Sequence, residues 1–454
     1  MASPLSYVPP DIWAKVMDSP ASSSRDAASL ACVCRDTAAA YMRSRAFRRA
    51  RVSRDGQVLE PASGTFDVEV APGESVFGAI HRCPLGGSVR LLPGSHRALT
   101  GGGQAHDDED EDEDEDEDDL LLLFPGDDVF VFGRELADCR FCVVSTAWTS
   151  AFIGVNLLNT VEIRGGCLRL QQCRIARRLV CCEGATPSVA RCNLAGSTHV
   201  MHPETGGTFA DNAITGIIFV SDGASPVFKN NSIASENQRA VHVYRATATF
   251  LDNRIRVAPT DQFTTIGIQV MNCPACVIEN NSIHHATVGI LLQGSVARIV
   301  GNDMWNHTNI NVDMGSTADV RHNFLRGTKQ PESCGISCEA RSLGIFADNV
   351  FWNHDFNVFV DKRSAPVVRD NVFSDSRVGV RDYSFRVCVE RNALHNVRRA
   401  HWPPTPLRLG SAFGAFCVGL GALKYVKTVC DLRVVADVWV GCVLTAATLC
   451  VVQS

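Results

Sequence analysis

The chain begins without the apolar run that a secretory signal peptide requires. Its first residues instead include Pro4, Pro9, Pro10 and Asp11, and a signal peptide needs an uninterrupted apolar segment there. We therefore expect an intracellular protein, in the cytoplasm or the nucleus, rather than a secreted one.

A long apolar run is also lacking near the other end of the chain. Residues 434–452 carry one charge, Asp437, and the stretch after it has only fifteen residues, whereas a membrane-spanning helix needs about 20. We expect residues 401–454 to form an apolar cap on the folded part. A membrane tail through residues 434–452 is the alternative.

Cysteine is abundant, with nineteen residues, but the spacing that defines a zinc site is lacking. Cys273-x-x-Cys276 and Cys334-x-x-x-Cys338 each supply half of such a site at most, because neither has a second pair at a suitable distance. The cysteines are scattered and, in an intracellular protein, reduced. We expect buried thiols, with no metal and no cofactor.

Charged residues make up only 20% of the chain and hydrophobic residues 45%, which is typical of a globular protein. The formal net charge of −6 is local, because residues 107–119 are thirteen consecutive acids and removing them turns −6 into +7. Such a run repels itself and buries nothing, so we expect a disordered acidic loop over residues 101–119. The arginines of residues 43–51 suit a solvated helix face, and no nucleic-acid partner is expected.

Asparagine, in contrast, recurs at an almost regular step of 19 to 28 residues. The recurring residues are Asn212, Asn231, Asn253, Asn281, Asn302, Asn323, Asn349, Asn371 and Asn392. An apolar residue follows each of them two positions later, and Cys173 and Cys192 continue the series towards the N-terminus. Such a period, with its tolerance of insertions, is typical of a solenoid in which each repeat forms one coil.

A second motif precedes most of these asparagines and consists of a small or Asn residue, a β-branched residue and then alternation. Examples are Gly216–Phe219, Ala240–Val243, Gly267–Val270 and Gly289–Leu292. Two or three short strands in each coil of about 22 residues predict a parallel β-helix of about eleven or more coils over residues 60–400. Asparagine tolerates the left-handed turn between strands, and stacked Asn side chains can hydrogen-bond along the column.

The first fifty residues resemble the F-box, a three-helix motif that docks on the Skp adaptor of cullin-RING ubiquitin ligases. Val8-Pro9 stands where the motif has Leu-Pro, and Leu30-Ala-Cys-Val-Cys-Arg35 resembles its last helix, although Thr37 stands where Trp is common. The resemblance implies a small α-helical F-box-like domain over residues 1–52. The adaptor-binding residues that it implies are Pro9, Ile12, Val16, Leu30, Val33, Cys34 and Arg35. The Ala- and Arg-rich composition also resembles F-box proteins of giant DNA viruses.

Residues 66–400 resemble the right-handed β-helix repeats of pectin-lyase-like proteins, of the carbohydrate-binding and sugar-hydrolase kind. Alternation predicts strands at residues 66–70 and 88–92, with a short helix near residues 76–80 between them. The predicted fold class is therefore mainly β: a right-handed, single-stranded parallel β-helix preceded by the F-box-like domain.

An F-box followed by such repeats resembles the F-box-only ubiquitin-ligase receptors. This resemblance implies a non-enzymatic substrate receptor of an SCF-type ligase, with a Skp-type adaptor and a cullin-RING ligase as partners. The β-helix would then hold a target protein or glycan. The alternative is a carbohydrate-active lyase or hydrolase on the same scaffold. The motif set of polygalacturonases (Asn-Thr-Asp, Asp-Asp, Gly-His-Gly and Arg-Ile-Lys) is missing from the coils, so no catalytic residue is assigned.

One edge of the coils is the candidate for target binding. Its residues are Trp305, His307, Trp352 and His354. They follow two of the asparagines by three and five residues, so they stack on one edge when the coils are in register. Aromatic side chains stacked beside histidines suit a sugar or a peptide. The adjacent pair His284-His285 is the best lone candidate for acid–base chemistry, although such a pair on a turn is more often a plain surface pair.

Overall fold

The computed structural model describes residues 66–83, 87–98, 120–123, 129–133, 137–147, 150–258 and 264–402. These residues form a parallel β-helix of about 14 turns, with three parallel sheets of 15, 14 and 14 strands. Within each sheet, a strand pairs with the strands one coil before and one coil after it, so the sheets run along the axis of the solenoid. The β-helix predicted from the sequence is confirmed.

Each coil passes through the three sheets in the order first, second, third. The first sheet contains Val68–Val70, Gly87–Leu91, Val129–Phe132, Ala151–Ile153, Arg169–Gln171, Ser188–Ala190, Thr208–Ala210, Val227–Lys229, Thr249–Leu251, Cys276–Glu279, Val296–Val300, Thr317–Arg321, Leu343–Ala347, Val367–Arg369 and Cys388–Glu390. The second sheet contains Gly94–His96, Ala137–Cys139, Asn156–Leu157, Arg174–Ile175, Asn193–Leu194, Ala213–Ile214, Ser232–Ser235, Arg254–Val257, Ser282–His284, Asp303–Trp305, Phe324–Arg326, Val350–Trp352, Val372–Ser374 and Ala393–His395. The third sheet contains Leu120–Leu123, Cys142–Ser145, Val161–Arg164, Arg178–Cys182, Ser197–Val200, Ile218–Ser221, Arg239–Tyr244, Ile266–Met271, Val288–Gln293, Thr308–Asp313, Cys334–Cys338, Phe356–Val360, Val378–Asp382 and Arg399–Trp402.

A short helix, α1 (Val76–Arg82), follows the first strand. Ser75 is its N-cap, and Ser75 Oγ accepts a hydrogen bond from the backbone N–H of Gly78 at 3.0 Å, which satisfies a donor that the helix leaves free. Val76, Ala79 and Ile80 are buried in the same core as the coils. The short helix predicted near residues 76–80 is therefore confirmed.

The interior is filled by columns of similar side chains, one from each coil. Phe209, Phe228 and Phe250 stack with their ring centroids 4.6 and 5.2 Å apart, close to the spacing of about 4.8 Å between hydrogen-bonded strands. A second column consists of the apolar residues two positions after the asparagines, as the sequence predicts. Ile214, Ile233, Ile255, Ile283, Met304, Leu325, Phe351 and Phe373 are buried in it. In the last described coil the same position is Leu394, which is 44% exposed.

The asparagines form a continuous ladder at the corner between the first and second sheets. The backbone N–H and the Nδ2 of Asn231 both donate to Oδ1 of Asn253, one coil further on, at 2.9 Å. Asn231 Nδ2 also donates to the backbone carbonyl of Phe209, one coil back, at 2.9 Å. Each side chain therefore pairs backbone groups that the sharp turn would leave buried and unsatisfied. The predicted hydrogen-bonded column is confirmed.

The left-handed residue of this turn is the one before the asparagine. The residues at that position with φ between 53 and 57° are Asp211, Asn230, Asp252, Asn280, His322, Asp348 and Asp370. Aspartate and asparagine enter this region more readily than most residues because their short side chains bond locally. The expectation that the ladder asparagine itself takes the left-handed conformation is therefore wrong. Four of the residues at this turn position are aspartates.

Cysteine takes the place of asparagine in two earlier coils, as the sequence predicts. Cys192 donates its backbone N–H to Oδ1 of Asn212 at 2.8 Å, which joins it to the ladder. The thiols of Cys173 and Cys192 lie 3.2 Å from the carbonyl of Phe152 and 3.4 Å from that of Leu170. A thiol is a weak donor, so the ladder continues here with weaker bonds.

Three predicted features lie outside the described residues. They are the F-box-like domain of residues 1–52, with its seven adaptor-binding residues, the acidic loop of residues 101–119, and residues 403–454 of the apolar C-terminal segment. These stay predictions. Within the described ranges, no helix has the length and apolar character that crossing a membrane demands.

Candidate functional site

The two tryptophans of the predicted binding edge lie on the outer face of the second sheet. Register pairs Trp305 with Arg326, and Arg326 with Trp352, so Arg326 occupies the coil between two tryptophans whose backbones are about 10 Å apart along the axis. Trp305 is 46% exposed and Trp352 is 42% exposed. Both side chains are therefore available to a ligand.

A shallow hollow of about 310 Å³ opens beside Trp352. Its lining residues are Phe324, Arg326, Val350, Trp352 and Ser374. The Arg326 guanidinium lies 4.6 Å from the centre of the Phe324 ring, and its Nη2 donates to Asp303 Oδ2 at 3.0 Å. The positive charge is thus largely balanced, while the flat guanidinium continues the aromatic surface.

The two histidines of the predicted edge do not lie with the tryptophans. His307 is half-buried, and its Nε2 is 3.3 Å from the carbonyl of Pro331. His354 is inside the molecule, where Asn309 Nδ2 donates to its Nε2 at 2.9 Å. Burial lowers the pKa of His354 to about 3, so this side chain is a neutral structural group. An exposed role for His354 does not fit its position.

The pair His284-His285 lies next to Trp305. His284 pairs in register with Trp305, and the ring of His285 is 5.5 Å from the indole. Burial lowers the pKa of His284, and its Nε2 is 3.1 Å from Ser282 Oγ. The pair therefore packs beside the exposed tryptophan.

A second group of candidate side chains lies on the outer face of the third sheet. The sequence did not predict it. His199, Phe219, His242 and Gln269 occupy the same position in four consecutive coils. The ring of Phe219 lies 4.9 Å from that of His199 and 5.9 Å from that of His242. The phenylalanine is thus held between two histidines, which we call the histidine column.

Both histidines of this column are held in the neutral form. Burial, followed by the charge of Arg178, lowers the pKa of His199, and burial, followed by the charge of Arg239, lowers the pKa of His242. Arg239 Nη1 is 3.3 Å from His242 Nδ1. Since arginine can only donate, Nδ1 accepts and Nε2 carries the proton.

Two buried polar atoms of the histidine column have no hydrogen-bond partner among the residues that the structure describes. They are Nε2 of His242 and Oε1 of Gln269 in the next coil. Gln269 Nε2 donates to Gln293 Oε1 at 2.8 Å, which holds the amide in place. Unpaired donors and acceptors on a functional face are candidate ligand contacts, because leaving them unpaired costs stability.

Tyrosine and arginine side chains surround the histidine column. Tyr244 follows His242 by two residues and therefore faces the same side of the sheet, and the guanidinium of Arg245 lies 5.0 Å from its ring. On the third-sheet strands between residues 161 and 271, Glu162 is the only carboxylate. Arg164 Nε and Nη2 bind its two oxygens at 2.8 and 3.1 Å.

The cysteine pairs are structural thiols. Cys273 and Cys276 are buried, and the Cys276 thiol lies 3.3 Å from the carbonyl of Ala248. Burial raises the pKa of Cys276, and also that of Cys338, to about 12, whereas a metal ligand must be a thiolate. Among the residues that the structure describes, no group of three or more His, Cys, Asp or Glu side chains is placed to hold a metal ion.

Comparison with known proteins gives one family match and several solved structures. Residues 197–384, less than half of the chain, match the family described as NosD, periplasmic copper-binding protein. No curated protein sequence matches. The chain is similar to the A-module of mannuronan C-5 epimerase AlgE6 from Azotobacter vinelandii, with 12% identity and a TM-score of 0.33 over 72% of this chain and 94% of that one.

Two further solved structures have the same scaffold. One is a mannuronic-acid-specific polysaccharide family 6 lyase from human gut microbiota, with 10% identity and a TM-score of 0.37 over 76% of this chain and 93% of that one. The other is the GH136 lacto-N-biosidase of Eubacterium ramulus, with 12% identity and a TM-score of 0.33 over 76% of this chain and 65% of that one.

These matches describe the scaffold, and none of them concerns an F-box or a viral protein. They contradict the prediction that the protein is not an enzyme, since the structures named are an epimerase, a lyase and a glycoside hydrolase. At this level of similarity no residue role passes from them to this chain. What is established is a parallel β-helix over the described residues between 66 and 402.

Proposed function

We propose that this protein is a carbohydrate-active enzyme that binds an acidic glycan at the histidine column and cleaves it by β-elimination. The observation that supports this most directly is the contact between Arg239 and His242. It leaves the Nε2–H of His242 as a donor without a partner among the described residues, with a guanidinium on the other nitrogen of the ring. An N–H donor in positively charged surroundings suits a carboxylate, which accepts strong charge-assisted hydrogen bonds.

The surroundings of the histidine column favour a uronic-acid-containing polysaccharide. The edge of the Phe219 ring, between the two histidine rings, offers an apolar contact for a sugar. Arg178 and Arg239 supply positive charge close to the two histidines. The Gln269 amide, whose Oε1 has no partner, adds an acceptor for a sugar hydroxyl. A long outer face on a solenoid also accommodates several sugar residues of a chain.

Each group would have a distinct role in the elimination. His242 would hold the carboxylate at C5 through its Nε2–H, and Arg239, bound to the other ring nitrogen, would add positive charge that stabilises the charge developing on the carboxylate. The oxygen of Tyr244, two residues further along the same strand, would take the C5 proton while its own hydroxyl proton leaves. The C5–H electrons form the C4=C5 double bond, the C4–O4 bond breaks, and O4 takes a proton from the Tyr244 hydroxyl.

Elimination fits these side chains better than hydrolysis does. A glycoside hydrolase uses two carboxyl groups on either side of the scissile bond. On the third-sheet strands between residues 161 and 271, Glu162 is the only carboxylate, and both of its oxygens bind Arg164. A tyrosine that moves the proton and a carboxylate held by His242 require no second carboxyl group.

The test is product analysis with the full-length chain and a panel of polyuronates, including polygalacturonate and alginate. We expect ultraviolet absorbance from the conjugated double bond of the product. His242→Gln and Tyr244→Phe should each lower the initial rate at least about 100-fold. His81→Gln, an exposed histidine on the short helix α1, should leave the rate unchanged. New reducing ends without the double bond, or no cleavage of any polyuronate, would overturn the proposal.

Two other roles, copper binding and adaptor binding, differ in what supports them. Copper binding, which the name of the matched family describes, is not proposed because the described residues hold no suitable ligand group.

Adaptor binding by residues 1–52 stays a prediction from the F-box resemblance. Its measurement is capture of the full chain by a Skp-type adaptor, and Ile12→Asp combined with Val33→Asp should abolish that capture. Unchanged capture would exclude the role.

A further inference from the structure

The outer face of the second sheet carries a row of basic and aromatic side chains, separate from the histidine column. In consecutive coils the row contains Arg256, His284, Trp305, Arg326, Trp352, Ser374 and His395. Each of these residues lies one coil, about 4.8 Å, from the next. The row is therefore straight and parallel to the axis of the solenoid.

Both indoles in this row are held in fixed positions. Trp352 Nε1 donates to Asp375 Oδ2 at 3.0 Å, and Trp305 lies beside the ring of His285. Two tryptophans that are nearly half exposed, in one row and two coils apart, are not needed to bury a core. Exposed apolar groups gathered in one patch, here with Phe324 and Val350, mark a binding surface.

We propose that Trp305, Arg326 and Trp352 form a second glycan-binding site, in which two sugars of one chain stack on the two indoles. The indoles supply flat apolar surfaces, and the guanidinium and carboxylate of the ion pair between Arg326 and Asp303 supply donors and acceptors for the hydroxyls between them. The hollow beside Trp352 receives the sugar that lies over Phe324 and Val350.

A glycan fits this surface better than a peptide does. A peptide that adds a strand needs a free sheet edge, whereas the three strands that carry Trp305, Arg326 and Trp352 are paired on both sides. An amphipathic helix needs a continuous apolar groove, and here the apolar groups alternate with Arg326 and Ser374. Alternating flat and hydrogen-bonding groups match a sugar chain, which has both features in every residue.

The site does not depend on the proposed elimination. It lies on another sheet and shares no residue with the histidine column. A glycan can therefore bind here whether or not it is cleaved, and the two proposals can fail separately. If both hold, this surface would keep a polysaccharide attached while the third sheet acts on it.

The experiment uses the full-length chain, with cellohexaose as a neutral probe and an oligogalacturonate of the same length as an acidic one. Calorimetric titration and tryptophan fluorescence measure binding of each probe. We expect Trp305→Ala combined with Trp352→Ala to weaken binding of at least one probe about tenfold or more for each lost stacking contact. Leu343→Ala, which removes an exposed apolar side chain from the first sheet, is the matched control.

The outcomes separate the two proposals and the two sugar chemistries. His199→Gln should retain the fluorescence change of the tryptophan site, even if the acidic probe loses contacts at the histidine column. Trp305→Phe with Trp352→Phe should keep part of the affinity, which guards against misfolding of the alanine variant. Unchanged binding of both probes by a folded alanine variant would overturn the proposal, and so would a failure of the unaltered chain to bind either probe.

Discussion

The interior of the β-helix repeats similar residues from coil to coil, whereas the outer face of the third sheet changes its residue at every coil. Asparagines fill one interior corner and phenylalanines stack beside it. The outer column instead runs through His199, Phe219, His242 and Gln269. Backbone hydrogen bonds and packing are the same in every coil, so repeated residues serve the fold. Unrepeated residues are not required by it and carry the specific chemistry.

The sharpest test of this difference uses two phenylalanines in successive strands. Phe228 is fully buried between Phe209 and Phe250, so Phe228→Ala should lower the free energy of unfolding by about 3–5 kcal/mol. Phe219 faces outwards, so Phe219→Ala should change stability by about 1 kcal/mol or less and weaken binding of acidic glycans instead. Urea unfolding and product assays measure both effects. Equal destabilisation by the two variants would refute the distinction.

The same contrast exists between two neighbours in one turn. Asn253→Ala removes the Oδ1 that accepts from Asn231 and the Nδ2 that donates to Phe228. Leaving those buried groups unpaired should lower the free energy of unfolding by about 3 kcal/mol. Asp252, at φ 55°, is exposed, so Asp252→Gly should be tolerated because glycine enters the left-handed region freely. Chemical denaturation of both variants checks the pair, and a more damaging glycine would contradict it.

Lowering the pH should affect the free energy of unfolding differently through a buried histidine than through exposed ones. The pKa of His354 is about 3 in the folded protein, whereas an unfolded histidine titrates near about 6.5. The unfolded state therefore binds its proton first, and the stability that the neutral ring contributes is full above pH 6.5. This contribution is lost as pH falls towards 3, by roughly 3 kcal/mol at pH 4.

The measurement is the slope of unfolding free energy against pH between 7 and 4. His354→Gln should make that slope shallower, whatever its effect at neutral pH. His395→Gln, an exposed histidine, should leave the slope as it is. A slope that does not change in the His354 variant would show that the ring takes up its proton without opening the fold.

The smallest expected effect comes from placing an asparagine at the ladder position where Cys192 now stands. Cys192→Asn would place an Nδ2 donor where the thiol now faces the carbonyl of Leu170, and an Oδ1 facing the preceding coil. We expect a gain of about 1 kcal/mol in the free energy of unfolding, the net value of one good hydrogen bond. Thermal unfolding measures it. A loss of stability would mean that the amide does not fit at this corner.

The solenoid could be predicted because the residues of its interior repeat along the sequence. The outward or inward direction of a side chain could not be predicted where an error of one residue in strand register changes the face it occupies. The motif alignment matched Gly216 with Ala240, but the sheet pairs Ile218 with Val241. A slip of one residue exchanges inside and outside, and it concealed that Phe219 faces the same way as His242. The histidine column therefore became visible only with the strand register.

The binding edge was predicted in part for a similar reason. Trp305 and Trp352 lie on strands, where counting from the asparagine predicts their shared face. His354 lies just beyond the strand, where the chain turns into the interior and Asn309 Nδ2 binds the ring. Periodicity holds along a strand and ends at a corner, so the sequence predicts positions on strands better than positions in turns.

The hydrogen bonds between the amides of the asparagine ladder all point the same way. From Asn212 to Asn371, each Nδ2 donates to the Oδ1 of the next asparagine towards the C-terminus. Nine amide groups joined in this manner polarise one another, as chains of hydrogen bonds do. The corner is therefore a polar filament with a positive and a negative end, and an interruption near its middle would weaken the rungs on both sides.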